Sequence, residues 1–129
     1  MPSAELHCRD ILAPFPLTHA GAVVASLSLH YFPWEETLSL AARIRATLRP
    51  GGLLLCRVNS TNDTHYGARG HPEIAPHFYD VGGERKRFFD RADVERLFGA
   101  GWHALGLEET TVHRYEHPKV CWEAALEAA

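Results

Sequence analysis

Side chains suited to proton transfer and hydrogen bonding occur in two stretches of this chain. In the first, His30 and Tyr31 directly follow a nearly continuous apolar run. An imidazole whose pKa is near neutrality can take a proton from an attacking nucleophile, which makes His30 the candidate catalytic residue. In the second stretch, Tyr66, His71 and Tyr79 carry groups that could contact a bound substrate, as could Tyr31.

The nine histidines also raise the question of a metal site. The most suggestive group is His65, His71 and His77, with Asp63, Glu73 and Asp80 nearby. Zinc sites need ligands held at short spacing on turns or helices, whereas these histidines are separated by five residues each in an irregular stretch. No H-E-x-x-H pattern occurs, so we predict a solvated loop and no metal.

Arg85-Lys86-Arg87 precedes Phe88-Phe89, a pattern that superficially resembles a nucleic-acid-binding surface. The chain of 129 residues carries 13 Lys and Arg against 16 Asp and Glu, a formal net charge of −3. This balance argues against nucleic acid and against an anionic membrane surface. We therefore predict a charged loop that leads aromatic side chains into the core, and small molecules or other proteins as partners.

A series of apolar runs and turn signals predicts the elements that position these residues. They are a strand over Ala4–Cys8 ending at Asp10, a loop over Ile11–Thr18, a strand over Ala20–Leu29, a helix over Trp34–Leu48 and a strand over Leu53–Asn59. The last three form a parallel β-α-β unit, closed by the turn Arg49-Pro50-Gly51-Gly52, in which proline stops the helix and glycine permits the reversal.

The second half of the chain has a different pattern. Residues 61–87 are rich in Gly, Pro, His and Tyr without periodicity, so we predict a long loop that is a lid, a binding loop or a disordered stretch. Asp90 and Asp93 predict a capping box that starts a short helix. Trp102–Val112 and Lys119–Leu126 predict an antiparallel hairpin.

Together, these elements resemble the second half of a class I S-adenosylmethionine-dependent methyltransferase, and the resemblance extends over nearly the whole chain. It implies an α/β fold with a partial Rossmann-like sheet, mostly parallel and with a C-terminal antiparallel hairpin, in a single truncated domain over residues 1–129. The site would lie at the carboxyl ends of the parallel strands, where open α/β sheets bind ligands.

The resemblance also implies roles for individual residues. S-adenosylmethionine would be the cofactor, with Asp10 accepting from the adenine amino group and Ile11 covering the ring. Ser26 and Leu27 match the strand end that approaches the methionine part. His30 would be the catalytic residue, although many such enzymes work mainly by proximity, so a structural or substrate-lining role is slightly favoured.

The glycine-rich loop of this family, G-x-G-x-x-G, does not occur in the chain. We therefore expect the 129-residue polypeptide by itself to bind the cofactor weakly or not at all. Either it is a shortened version of a longer enzyme or another chain completes it. The strand at Ala22–Ser26 would then be an exposed apolar edge that favours association.

Two functions remain open at this point. The first is methyl transfer to an oxygen, nitrogen or carbon nucleophile of a small molecule. The alternative is a non-catalytic subunit or interaction protein that pairs through this strand edge, as a homo-oligomer or with a second chain. We expect no membrane span, because no apolar run approaches the length needed, and a cytoplasmic location.

Overall fold

The structure is a computed structural model that describes residues 20–27 and 29–129. The predicted strand Ala4–Cys8, the loop after it, and Asp10 and Ile11 lie outside the described residues. The elements are β1 (Ala20–Ser26), α1 (Trp34–Thr47), β2 (Leu48–Asn59), a 3-10 helix (Thr64–Tyr66), β3 (Glu73–Ala75), β4 (Phe78–Val81), β5 (Glu84–Arg87), α2 (Arg91–Leu97), β6 (Trp102–Val112) and β7 (Lys119–Ala128).

Four strands form the main sheet in the order β1-β2-β7-β6. β1 runs parallel to β2 across the α1 connection, which confirms the predicted β-α-β unit. β7 pairs antiparallel with both β2 and β6, which confirms the predicted hairpin. Among the described strands the sheet is therefore mixed, with one parallel pair and two antiparallel pairs, and the expectation of a mostly parallel sheet is not confirmed.

The turn after α1 is part of β2 rather than a separate reversal. Ala20 lies opposite Leu48 and Ala22 opposite Leu53, so the intervening residues bulge out of register. Gly51 has a φ of 80°, and a Cβ at Gly52 would lie 2.9 Å from the Arg49 carbonyl oxygen. Glycine is required at these two positions for backbone conformation and for close approach, respectively.

One face of the main sheet packs against both helices. Leu40 and Ile44 of α1, Leu54 and Val58 of β2, and Val94 of α2 all belong to one buried apolar cluster. Each such side chain stabilises the fold by roughly 1.5–3 kcal/mol when it is removed from water. The core therefore holds the β-α-β unit and the hairpin together.

The opposite face of the sheet is open among the described residues. Val24, Leu53 and Leu55 remain 69%, 39% and 48% exposed. A shallow groove of about 460 Å³ runs across this face, and an ion pair between Arg57 and Glu123 lines part of it. No described strand pairs with the second edge of β1. An apolar surface combined with a free strand edge favours association with another polypeptide segment.

The prediction of a long irregular loop over residues 61–87 is wrong in part, because β3, β4 and β5 form a small antiparallel sheet there. These strands are three or four residues long, too short to display an alternating pattern. The missed signal is the Gly82-Gly83 pair, whose φ angles of 63° and 90° suit a two-residue hairpin loop between Val81 and Glu84.

The start of α2 agrees with the sequence prediction. The Asp93 backbone N–H donates to Asp90 Oδ1 at 2.7 Å, and the Asp90 N–H donates to Asp93 Oδ2 at 3.1 Å, which completes the capping box. Phe88 and Phe89, which precede this helix, are fully buried. This agrees with the prediction that these aromatic side chains enter the core. Neither helix in the described part of the chain is long and apolar enough to cross a bilayer.

Candidate functional site

The carboxyl ends of β1 and β2 lie side by side, since parallel strands end at the same edge of a sheet. Ser26 is the last residue of β1 and lies opposite Arg57. The Leu27 N–H then donates to the Arg57 carbonyl oxygen at 2.8 Å, and Leu27 has a φ of 58°. A left-handed conformation is costly for leucine and is often found where the backbone is shaped for a ligand. The backbone therefore turns sharply at the predicted cofactor-contacting residues.

His30 lies just beyond this turn and is buried, with 3% of its surface exposed. Burial, together with the positive charges of Lys119 and Lys86, lowers the pKa of His30 from 6.5 to about 3. The ring is therefore neutral at physiological pH, and its Nδ1 has no hydrogen-bond partner among the described residues. Such an imidazole is a weak base, so this geometry favours a lining role over proton abstraction from an attacking nucleophile.

Of the four predicted substrate-contacting residues, Tyr31 lies nearest to His30. Its ring stands edge-on to the imidazole at a centroid distance of 4.4 Å, and the side chain is partly exposed. Burial raises the pKa of Tyr31, and the negative charge of Glu84 raises it further. The phenol therefore keeps its proton and can donate a hydrogen bond.

The other three predicted substrate residues are placed differently. The Tyr66 hydroxyl accepts from the His117 backbone N–H and donates to its carbonyl, both at 3.1 Å, which ties it to the β6–β7 connection. Tyr79 packs against Phe88 at a ring distance of 5.9 Å, and His71 is exposed. Among the described residues, no hydrogen bond, ion pair or ring contact joins these three side chains to His30.

The histidines and acidic residues weighed as metal ligands are distributed over several contacts. His65 stacks on His117 at 5.0 Å, whereas the His77 Nδ1 lies 2.7 Å from Asp93 Oδ2. His77 and Asp93 lie with Asp90 in a group whose ligand atoms are within 4.8 Å of one another. The two carboxylates of this group already form the α2 capping box, so the group has a structural explanation.

A buried polar cluster at the end of β2 was not predicted from the sequence. Lys119 Nζ, on β7, donates to Asn59 Oδ1 and to Asp63 Oδ2, both at 2.8 Å. The second oxygen of Asp63 accepts from the Val120 N–H at 2.9 Å. Asn59 and Asp63 are almost completely buried. A sequence signal was present in the polar residues that directly follow the apolar strand.

The segment after β5 is held against the same end of β2. The Phe89 N–H donates to the Asn59 carbonyl at 2.7 Å, and Ser60 forms a parallel bridge with Phe89. Trp122 Nε1, on β7, donates to the Phe89 carbonyl at 2.7 Å. In addition, the Arg87 N–H donates to the His30 carbonyl at 2.6 Å. The small β3–β4–β5 sheet is therefore anchored beside the carboxyl ends of β1 and β2.

The chain has no match among protein-family models or among the sequences of curated proteins. Solved structures do match. A SAM-dependent methyltransferase from Methanosarcina mazei has a TM-score of 0.76 and 11% identity, over 98% of this chain and 68% of that protein. A second from Clostridium acetobutylicum gives 0.70 and 12% identity, over 98% of this chain and 65% of that protein.

A third similar structure was determined with ligands. The 1,6-didemethyltoxoflavin-N1-methyltransferase of Burkholderia thailandensis, with bound 1,6-didemethyltoxoflavin and S-adenosylhomocysteine, gives a TM-score of 0.67 and 16% identity. The match covers 92% of this chain and 48% of that protein. At these identities the similarity establishes the fold. This chain therefore has the fold of part of a SAM-dependent methyltransferase, and it spans about half to two thirds of these three proteins.

Proposed function

We propose that this chain forms the carboxyl-terminal part of a SAM-dependent methyltransferase domain. The observation that carries the proposal is the β1-α1-β2 unit, in which the backbone turns at Leu27 with a φ of 58° where β1 ends. In an open α/β sheet, ligands bind at the carboxyl ends of the strands. The shared fold of three methyltransferases supports placing the cofactor at that end.

S-adenosylmethionine is the proposed cofactor. Ser26 and Leu27 would line its methionine part with backbone atoms, and Asp10 and Ile11, outside the described residues, would contact the adenine. The cofactor supplies a methyl group on a sulfonium. The role of this chain is to hold that group and the acceptor in line, because orientation of two bound molecules accounts for much of such a rate enhancement.

The proposed acceptor is an oxygen, nitrogen or carbon nucleophile of a small molecule. Tyr31 is the best placed of the candidate substrate residues, because it is partly exposed and packs edge-on against His30. We assign His30 to the wall of this site rather than to general-base catalysis, because its lowered pKa of about 3 makes proton uptake from a nucleophile unfavourable.

Chemical-shift mapping with S-adenosylhomocysteine tests this function on the 129-residue chain. We expect weak binding, in the millimolar range, with the amide signals of Leu27, His30 and Asn59 shifted most. Shifts confined to another part of the molecule would argue against the site. A low-micromolar site would instead contradict the expectation that tight binding needs a glycine-rich loop.

A second candidate function is that of a non-catalytic subunit that pairs through β1. It is favoured by the free second edge of β1 among the described strands and by the exposed side chains of Val24 and Leu55 beside it. A discrete complex of defined stoichiometry in light scattering would support this function. Ligand-dependent methyl transfer by the chain would exclude the non-catalytic assignment.

A further inference from the structure

A cleft of about 400 Å³ lies where α1 begins, between the small β3–β4–β5 sheet and α2. Aromatic, arginine and aliphatic side chains line it. The rings belong to Trp34 and Phe78, and the guanidinium groups belong to Arg85, Arg87 and Arg96. This volume is within the range of small-molecule sites.

The charged and aromatic groups of the cleft form a continuous row. The Arg96 guanidinium lies 4.7 Å from the centre of the Trp34 ring, and Arg87 lies 5.4 Å from the same ring. Arg87 also lies 4.6 Å from the centre of the Phe78 ring, which Arg85 approaches at 5.8 Å. Three cations and two rings thus alternate along the cleft. Contact with the ring faces stabilises each guanidinium and holds its plane in place.

Negative charge in the cleft does not balance these arginines. Asp93 is the carboxylate that lines it, and its oxygens already accept from Arg96 Nη2 at 3.0 Å and contact His77 Nδ1 at 2.7 Å. Within the described part of the chain, no carboxylate oxygen lies within 4.0 Å of a guanidinium nitrogen of Arg85 or Arg87, so neither forms an ion pair there. Two of the three arginines therefore form no ion pair with a described residue.

Arg87 is the most unusual of the three, because it is buried with 5% of its surface exposed. Its Nε donates to the Phe32 carbonyl at 3.4 Å and its Nη1 to the Pro76 carbonyl at 3.2 Å. Burial lowers the pKa of Arg87, an effect that Asp93 opposes and Arg96 reinforces, but a guanidinium stays charged in proteins. A buried charge without an anionic partner is costly, and a bound anion would offset that cost.

We propose that this cleft binds an aromatic or heteroaromatic acid. Its carboxylate would pair with the arginines, whose planar donors match a carboxylate in a two-point contact. Its ring would pack on the apolar side, formed by Ile74, Ala75 and Pro76. Ile74 is 52% exposed, so this side of the cleft is open to a ligand. The inference does not depend on methyl transfer, since binding alone is its content.

The cleft adjoins the candidate site through the backbone. The Arg87 N–H donates to the His30 carbonyl, and Trp34 begins the helix that follows the His30 segment. A ligand in the cleft would therefore contact the elements that position His30. The rival explanation is that the arginine and aromatic row is purely structural and binds no ligand.

Titration of the full 129-residue chain with benzoate, followed by NMR, distinguishes these two explanations. The matched probes are benzyl alcohol, which keeps the ring without the charge, and acetate, which keeps the charge without the ring. We expect benzoate to bind at least about tenfold more tightly than benzyl alcohol, because hydrogen bonds to charged groups contribute about a factor of ten or more. We also expect it to bind more tightly than acetate, because its ring buries apolar surface in the cleft. The signals of Ile74, Phe78 and the Trp34 indole should shift.

Substitutions of single arginines then test which positive charges contribute to benzoate binding. Arg85→Gln and Arg96→Gln should each weaken benzoate binding about tenfold, since each removes a charged donor from the cleft. Arg91→Gln is the matched control, because Arg91 is on the same helix as Arg96 and forms an exposed ion pair with Glu95. Its affinity for benzoate should equal that of the unmodified chain.

Three results would overturn the proposal. The first is the absence of saturable benzoate binding to the folded chain. The second is equal affinity for benzoate and benzyl alcohol, which would mean that the arginines contribute nothing. The third is an equal loss of benzoate affinity in Arg91→Gln and Arg96→Gln, which would place the effect outside the cleft.

Discussion

Lys119 Nζ lies 2.8 Å from Asp63 Oδ2, and the Asp63 side chain is completely buried. The two residues are 56 positions apart, and their contact links the end of β2 to the start of β7. The Lys119 amine also lies 5.1 Å from the centre of the Tyr66 ring. This contact therefore holds the 3-10 helix segment against the main sheet.

Breaking this pair should destabilise the fold strongly. We expect Asp63→Asn to lower the free energy of unfolding by about 3–5 kcal/mol, because the largely buried Lys119 amine, with 12% of its side chain exposed, loses its charged partner. Chemical denaturation of the variant and the unmodified chain measures the difference. Glu95→Gln, which breaks the exposed pair with Arg91, is the matched control and should change stability by less than about 1 kcal/mol. Equal effects of both substitutions would contradict the buried role of Asp63.

Stability should fall with acid because of His30. The pKa of His30 is 6.5 in an ordinary environment and about 3 in the fold, so between these values the unfolded chain binds a proton that the folded protein does not. Protons therefore favour unfolding, and the contribution of neutral His30, fully present above pH 6.5, is lost as the pH falls toward 3.

A His30→Phe variant measures this effect. Between about pH 7 and about pH 5, the unmodified chain should lose about 2 kcal/mol more than the variant in free energy of unfolding. The control is His103→Phe, at an exposed position on β6, which should keep the pH dependence of the unmodified chain. Parallel pH profiles for His30→Phe and the unmodified chain would show that His30 titrates normally.

Two glycines with positive φ should respond differently to alanine. At Gly67 the φ is 125°, and a Cβ would lie 2.8 Å from Val81 Cγ2 and 3.1 Å from Phe88 Cζ. Gly70, with a φ of 82°, has no atom within 4 Å of such a Cβ. Gly67→Ala should cost about 1–3 kcal/mol more than Gly70→Ala in thermal or chemical denaturation, because crowding adds to backbone strain. An equal loss of stability in the two variants would mean that the side chains of Val81 and Phe88 move aside at little energetic cost.

The open face of the main sheet should promote self-association. Light scattering should detect a mass that rises with protein concentration, since Val24 and Leu55 expose apolar surface beside an edge of β1 with which no described strand pairs. Val24→Lys should reduce this association by placing a charge on that face. Ile74→Lys, which adds the same charge at an exposed position on β3, should leave it unchanged. A constant monomeric mass for the unmodified chain would contradict this expectation.

The predicted elements that agree with the structure are those with strong local signals. The apolar run into β1 and the Asp90–Asp93 capping box each have a counterpart in the fold, whereas α1 ends at Thr47 and Pro50, which was predicted to stop it, lies within β2. The failure over residues 61–87 has the opposite cause. Strands of three and four residues have too few positions to show a period, and the Gly82-Gly83 turn was the available signal.

The candidate site was predictable to a lesser extent. The apolar run predicted a strand as far as Leu29, whereas the family resemblance placed the strand end at Ser26 and Leu27; β1 ends at Ser26 and the described backbone turns at Leu27. Their roles toward a cofactor stay predictions. The grouping of Tyr66, His71 and Tyr79 in one stretch of chain did not predict their surroundings, because a hairpin connection holds Tyr66 while Tyr79 packs in the small sheet.

The sequence by itself determined the β1-α1-β2 unit, the start of α2 and the β6–β7 hairpin, because caps, turns and apolar periods depend on residues close together in the chain. The tertiary structure alone decided which distant side chains meet. Asp63 pairs with Lys119, and Arg87 lies between the rings of Trp34 and Phe78. No periodic spacing of these residues in the sequence predicts either contact. The burial of Arg87 and of His30 likewise depends on packing between elements, and packing sets the protonation state of His30 and the hydrogen-bond partners of Arg87.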